Sequence, residues 1–370
     1  MSEPAILECR GTLSARIGSA DWILVTSRGW LDRGVDALIG AMTNPPRATL
    51  IPSSPLASLE TLSDLWAQAR SLSPPDLWVA LGGGTVIDLT KALAACFANG
   101  GIEPVIEALR GDLQAIAGNT APLIAVPTVL GAGSELTATA TIWNVDGRKA
   151  ALEHESLRPQ EPIYAIRALV AVPEQARIAG LVDIYSHAMD SVWNRNATTD
   201  SLKLAETAIL ALRSHLDGSR DDRDWLSLVE ASRAAGMAID VTRTSLAHAV
   251  SYPLTEHFDL VHGLAAGFAL PAIAELCWQE RPDLLHPLTR AHQCEGDSLA
   301  AQVCGMLDHI GGRALIVERI DRPALSRIAQ EVLRSSRARN FPIELDVPQI
   351  TGLCDRSYEL LATFPNPAEA

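Results

Sequence analysis

The stretch "WVALGGGTVIDLTKAL", Trp78 to Leu93, decides the fold. An apolar run of strand character meets three consecutive glycines, Gly82, Gly83 and Gly84, and a helical pattern opens at about Thr85. Strand, glycine turn and helix form the junction of a βαβ unit, and the flanking sequence repeats the rhythm. Upstream lie "WILVTS" (22–27), a helical stretch from Leu31 to Gly40, "ATLIPSS" (48–54) and a helix from about Leu56; downstream lies "PLIAVPT" (122–128). Short apolar strands alternating with helices predict a parallel sheet with helices on both faces.

After about Val172 the strand pattern fades, and Ala, Leu, Arg and Glu recur at helical spacing with punctuation at Gly218, Gly236, Pro253, Gly311, Gly312 and Pro342. Two domains are expected, an α/β domain over 1–172 and an all-helical domain over 173–370. The apolar stretch "GLAAGFALPAIAELCW" (263–278) is interrupted by Pro271 and Glu275 and is shorter than a membrane span, so it reads as a buried helix pair. The charged run "SRDDRD" (219–224) reads as a solvated loop.

Bulk properties narrow the function. With 370 residues, 48% of them hydrophobic, the chain can bury two ordinary cores. A net charge of -14 and a pI near 5.1 argue against nucleic-acid or anionic-membrane partners; a small anionic substrate would need a local basic pocket. Six cysteines, at 9, 96, 277, 294, 304 and 354, form no CxxC pair, which excludes a zinc knuckle or disulfide scaffold and fits a reducing cytoplasm. "MSEPAILECRGTLSAR" has no basic flank leading into an apolar run, so no secretory signal is expected.

The glycines carry a chemical expectation. Backbone that approaches a ligand closely, at a helix start with unpaired N–H groups, makes an anion site; the same glycines also suit a plain tight turn. A second glycine-rich junction, "PLIAVPTVLGAGSELTATATI", sets Thr128, Gly131, Gly133 and Ser134 after another strand. Two such junctions at successive strand ends point to a nucleotide lying across them. Neither matches the GxGxxG fingerprint, so an ordinary dinucleotide fold is not implied.

A ligand set follows in two pieces. "GLVDIYSHAMDS" puts Asp183 and His187 one helical turn apart on one face, within reach of a single ion, although such a pair is also a common surface salt bridge. Asp190, three residues on, is either a supporting group or simply exposed. In "HAVSYPLTEHFDLVHG", His248 is expected late in a helix that Pro253 ends, and His262 opens the next. One carboxylate and three imidazoles suit Fe(II) or Zn(II).

Taken together, these residues resemble the iron-containing (group III) alcohol dehydrogenases, whose members carry a GGGS-x-x-D-x-x-K loop, a PTT-x-GTGSE loop, a D-x3-H pair and two later histidines. Here they stand as "GGGTVIDLTK", "PTVLGAGSE", Asp183 with His187, and His248 with His262, in the same order over nearly the whole chain. The resemblance implies a dehydroquinate-synthase-like fold with an α/β N-terminal nucleotide-binding domain, an all-α C-terminal domain and a divalent metal between them. It also implies an NAD(P)H-dependent enzyme and a homodimer. Its cofactor contacts fall on Gly82, Gly83, Gly84, Thr85, Asp88, Thr128, Gly133, Ser134 and Lys149.

Departures from the family pattern sharpen the expectation. Relatives that choose NAD often end the first strand "VTD"; here "VTSR" puts Ser27 and Arg28 in place of the acid, so NADPH should be tolerated. Val129 and Ala132 replace two threonines of the second loop. Where many members have a proton-relay histidine four residues after the first of the two late histidines, this chain has Tyr252. "SYPLT", "TRTSLAHA" and "HAMDSVWNRNATTDS" resemble the branch that reduces phosphonoacetaldehyde to 2-hydroxyethylphosphonate. That dianion needs a cation, for which Arg243, Arg195 and His257 are the candidates. Rival expectations are a general alcohol dehydrogenase for uncharged aldehydes, a cyclising lyase of the dehydroquinate synthase type, and a non-enzymatic relative.

Overall fold

The computed structural model describes residues 12–111, 115, 116, 118–143, 149–218 and 222–365. Cys9 with the amino-terminal stretch, Asp146 to Arg148 before Lys149, and residues 219–221 of the charged run lie outside the described residues. The chain divides into two compact units between Val172 and Pro173.

In the first unit the sheet is parallel, with strands Trp22–Thr26 (β1), Ala48–Leu50 (β2), Leu77–Gly82 (β3), Leu123–Pro127 (β4) and the short Glu161–Pro162 in the spatial order β2-β1-β3-β4 followed by Glu161–Pro162. Every residue of β1, β3 and β4 is buried, as a strand covered on both faces requires. Successive side chains serve opposite layers. Ile23, Val25, Trp78, Ala80 and Ala125 pack with the helices Leu59–Ala69 (α1) and Gly84–Ala98 (α2), while Leu24, Val79, Leu81 and Val126 pack with Trp30, Val35 and Ile39. The chain leaves β1 in one direction for β2 and returns past it to β3, so the strand order reverses between β1 and β3. Register pairs Thr26 with Leu81 and Gly82 with Pro127, which brings Ser27, the first glycine loop and Thr128 to one end of the sheet.

Helix α1 starts at Leu59 rather than about Leu56, because the Ser58 hydroxyl accepts the Thr61 N–H at 3.1 Å and fixes the first turn there. An antiparallel pair, Thr139–Trp143 (β5) with Lys149–Glu153 (β6), was not expected from the sequence. Its alternation of buried and half-buried residues in "TATIW" is a period of two that follows directly on the glycine loop.

The second unit is helical throughout its described residues: Glu174–Val192 (α3), Thr199–Asp217 (α4), Asp222–Thr242 (α5), Leu246–Phe258 (α6), His262–Phe268 (α7), Leu270–Glu280 (α8) and further helices to Thr363. Helix α5 begins inside the charged run read as a loop. Helices α7 and α8 form the expected buried pair, and no described helix is long and apolar enough to cross a membrane.

His248 lies in the first turn of α6, not late in a helix, and Pro253 sits inside α6 without ending it. Proline removes only its own N–H from the ladder, and fully buried Val250 and Leu254 hold the helix through the gap. The stop comes at Asp259, whose φ of 50° is left-handed.

Candidate metal centre and nucleotide loops

Helix α3 is buried on all sides from Ala179 to Val192, so Asp183 and His187 project into protein rather than solvent. Their Oδ1 and Nε2 atoms are 3.7 Å apart. The first turn of α6 brings His248 alongside: its Nε2 is 3.5 Å from Asp183 Oδ1, and its ring stacks on that of His187 at 4.6 Å and 6°. Ligand atoms of Asp183, His187 and His248 lie within 4.8 Å of one another. His262, at the start of α7, presents its ring 5.6 Å from that of His248 at 68°, and its Nδ1 is 3.4 Å from the Ser251 hydroxyl. Helix α7 approaches α3 this closely because residue 263 is glycine; a Cβ there would lie 2.1 Å from the Ala179 carbonyl oxygen. The Tyr252 ring stacks over His262 at 6.0 Å and 24°.

Two atoms in this cluster test its fit to a cation. Asp183 Oδ1 and His248 Nε2 are buried, face one another, and have no hydrogen-bond partner. A buried polar atom left unpaired costs about 1–3 kcal/mol, and a carboxylate more. A divalent ion with carboxylate and imidazole ligands would satisfy both, so the residues present fit the group. Burial alone would raise the Asp183 carboxyl, but His187, His248 and His262 together hold it below the usual carboxylate range, in the anionic form a metal requires.

Asp190 belongs to the same cluster, which the sequence left open. It is fully buried and accepts from Ser245 N (2.8 Å), Ala247 N (3.2 Å), His248 N (3.2 Å), Trp193 Nε1 (2.9 Å) and His248 Nδ1 (2.8 Å). Its partners lie up to 58 residues away, so no local pattern could reveal them.

Each of the residues proposed for an anionic substrate already has a partner of its own. Arg243 ends α5 with a φ of 60°, and its guanidinium donates to the Asp240 carbonyl at 2.7 Å. Arg195 donates to the Phe341 carbonyl at 2.8 Å and lines a cavity of about 810 Å³ with Lys203, Arg281 and Arg290; none of the four metal candidates lines it. Arg281 and Arg290 are already held there by Asp283 and Glu206. His257 is exposed, and Glu331 takes its Nε2 at 3.0 Å.

In the α/β unit the nucleotide candidates gather at the ends of β1, β3 and β4. Ser27 is half-buried and Arg28 exposed at the first turn after β1. Gly84 brings the two glycine loops together, since a Cβ there would meet Ala132 Cβ at 2.8 Å. Thr128 donates its N–H to the Gly82 carbonyl at 3.0 Å and accepts from Trp30 Nε1 at 3.1 Å. The Ser134 hydroxyl donates to Asp88, which also accepts the Thr141 N–H at 3.0 Å. The centre of this network is Lys91, fully buried, whose Nζ donates to the carbonyls of Ser134, Thr137 and Thr139 at 2.6–2.8 Å. Lysine closes the quoted glycine motif, but its role as the strut of the second loop was not foreseen. Lys149 sits on β6 with Nζ 5.0 Å from the Trp143 ring centre.

Glycine loops that can seat a pyrophosphate and a cluster that can hold a carbonyl-polarising cation are the parts of a metal-assisted nicotinamide oxidoreductase. Residues 2–165 match the family described as iron-containing alcohol dehydrogenase, and residues 177–358 match its described C-terminal domain. The chain belongs to the iron-containing alcohol dehydrogenase family, whose members are NAD(P)-dependent oxidoreductases that use a divalent metal. It is 33% identical over 253 residues to a phosphonoacetaldehyde reductase of Streptomyces viridochromogenes, an alignment spanning 66% of this chain and 62% of that protein. It is 30% identical to the "Probable alcohol dehydrogenase EutG" of Salmonella typhimurium, over 74% of this chain and 71% of that one. Its fold matches a sulfoacetaldehyde reductase from Bifidobacterium kashiwanohense solved with NAD+, with a TM-score of 0.82 at 22% identity over 99% of this chain and 96% of that chain.

Proposed function

We propose that the protein is a metal-dependent NAD(P)H aldehyde reductase whose substrate is phosphonoacetaldehyde, with 2-hydroxyethylphosphonate as product. The observation that carries the metal-dependent reading is the buried, unpaired Asp183 Oδ1 facing the unpaired His248 Nε2, and the 33% identity to a phosphonoacetaldehyde reductase supports the choice of substrate. Asp183, His187, His248 and His262 would hold a divalent metal, Fe(II) or Zn(II). When bound, that metal supplies Lewis acidity toward an aldehyde oxygen, and a reduced nicotinamide supplies the hydride. Asp183 contributes the negative charge of the ligand set, and the buried imidazoles of His187 and His248 exclude water from it. The proton that completes the alcohol would come from Tyr252, whose ring stacks on His262, from a cofactor hydroxyl or from water.

Ser27, Arg28, Gly82, Gly83, Gly84, Thr85, Asp88, Thr128, Gly133, Ser134 and Lys149 are assigned to the nucleotide. The absence of an acid at positions 27 and 28 leaves room for a 2′-phosphate, so NADPH should be tolerated beside NADH. Among the cations, Arg243 is the first choice for the phosphonate; a dianion at His257 must first displace Glu331. The same reading makes the protein a homodimer in a reducing cytoplasm, in keeping with the five free cysteines among the described residues.

A reductase for uncharged aldehydes is the second reading, favoured by the prior engagement of Arg195 and His257. Steady-state rates with phosphonoacetaldehyde and butanal, each with NADH and NADPH, decide between the two. A higher kcat/KM for the phosphonate supports the first, equal or reversed values the second, and no continuous NAD(P)H oxidation with either ends both.

A further inference from the structure

Five donors converge on the Asp190 carboxylate, and three of them, the N–H groups of Ser245, Ala247 and His248, belong to the start of α6. The residue at the N-cap position, Ser245, makes no side-chain cap of its own. A side chain from α3 therefore does the work of the missing cap. The remaining donors are the Trp193 indole and the His248 ring.

A carboxylate surrounded by obligate donors acts as an acceptor only, which dictates that His248 Nδ1 carries its hydrogen. The opposite nitrogen, Nε2, is then the one that presents a lone pair, and it is aimed at Asp183 Oδ1 3.5 Å away. Two buried acceptors facing each other are satisfied by a positive centre between them, a proton on a doubly protonated ring or a metal ion, and the metal ion also engages His187 and His262. We infer that Asp190 is the positioning residue of the metal centre: one carboxylate caps α6 and fixes the tautomer and direction of His248, tying the helix and its ligand to α3. The inference rests on the metal reading above and adds to it the group that builds the site.

The test uses the full chain stripped with chelator and titrated with Zn(II) alone, in competition with a chromophoric chelator. Carboxylates that support a ligating histidine typically change metal affinity by about 10–100-fold, and Asp190→Asn is expected to weaken Zn(II) binding by that factor. In a His248→Ala background the same substitution should cost nothing further, because its effect passes through the ring. An equal loss with and without His248 would mean that Asp190 only caps a helix and would overturn the inference, as would an unchanged affinity in Asp190→Asn. Should Asp190→Asn not fold, Asp190→Glu keeps the charge and moves it; its Co(II) visible spectrum should differ from that of the unaltered protein, and an identical spectrum overturns the inference. If the unaltered protein binds neither Zn(II) nor Co(II), the metal reading falls and this inference with it; binding that is indifferent to Asp190 removes the inference alone.

Discussion

Both units bury charge, and they do so in opposite ways. In the α/β unit the ammonium of Lys91 is fully enclosed, yet its hydrogens go to three carbonyls, and Asp88 nearby accepts from Ser134 and Thr141. In the helical unit Asp183 and His248 are just as buried, but one polar atom on each has no partner. Charged groups whose partners all lie within the chain support a loop whether or not ligand is bound, whereas two unpartnered ligand atoms that face each other signal that something outside the chain completes them, which the lone unpartnered Thr139 hydroxyl of the α/β unit does not. The first is scaffolding for the nucleotide loops; the second is a receptor for a cation.

The largest effect should come from the incomplete network. Removing the carboxylate in Asp183→Ala takes away the charge that holds a divalent ion; the several kcal/mol at stake correspond to a loss of about 1,000-fold or more in reductase rate. Metal content per chain should fall with it, while far-UV circular dichroism stays unchanged. Lys91→Met should reverse the pattern. Leaving three carbonyls without their donor and Asp88 without the nearby positive charge should cost about 3–5 kcal/mol in urea unfolding, with Zn(II) affinity of the folded protein intact.

Gly84→Val is a smaller disturbance of the α/β unit. Its Cβ must displace Ala132, at about 1–3 kcal/mol of strain, so the NADPH Kd should rise by fluorescence titration without change in metal binding.

The two units should also respond to acid with opposite signs. Burial raises the Asp88 carboxyl above 3.8, against the pull of Lys91. The folded α/β unit therefore takes up a proton before the unfolded chain does, and stability from this group rises as pH falls through the folded value. Burial, aided by Arg213, lowers His292 from 6.5 to about 4, so the unfolded chain takes up a proton that the folded helical unit refuses. Stability from His292 is lost as pH falls from 6.5 toward 4. His292→Gln should flatten that loss between pH 6.5 and 4, and Asp88→Asn should remove the opposing gain on acidification, both read from urea midpoints as a function of pH. The weakest effect is expected at the exposed His257–Glu331 pair, where His257→Ala should change stability by less than about 1 kcal/mol and leave metal content alone.

What the sequence revealed depended on how far apart the partners lie. The strands and glycine loops were legible because a buried parallel strand is a continuous apolar run and its turn is marked by glycine. Asp183 and His187 were legible because four residues make one helical turn. Grouping His248 and His262 with them rested on residue types that suit one ion, with the family pattern added afterwards, since 60 residues of helix and loop lie between His187 and His248. Asp190 and Lys91 escaped because their roles are defined by acceptors and donors more than 40 residues away. Pro253 misled because proline marks a helix end on average, and here packing overrides it.

X-ray diffraction at the metal absorption edge, on crystals of the protein purified with Fe(II) or Zn(II) present, addresses the cluster most directly. A single strong anomalous peak bonded to Asp183 Oδ1 and His248 Nε2, with His187 and His262 completing the ligands, is the predicted result. No peak there, or one only at the surface group Glu256, His257 and Glu331, would contradict it.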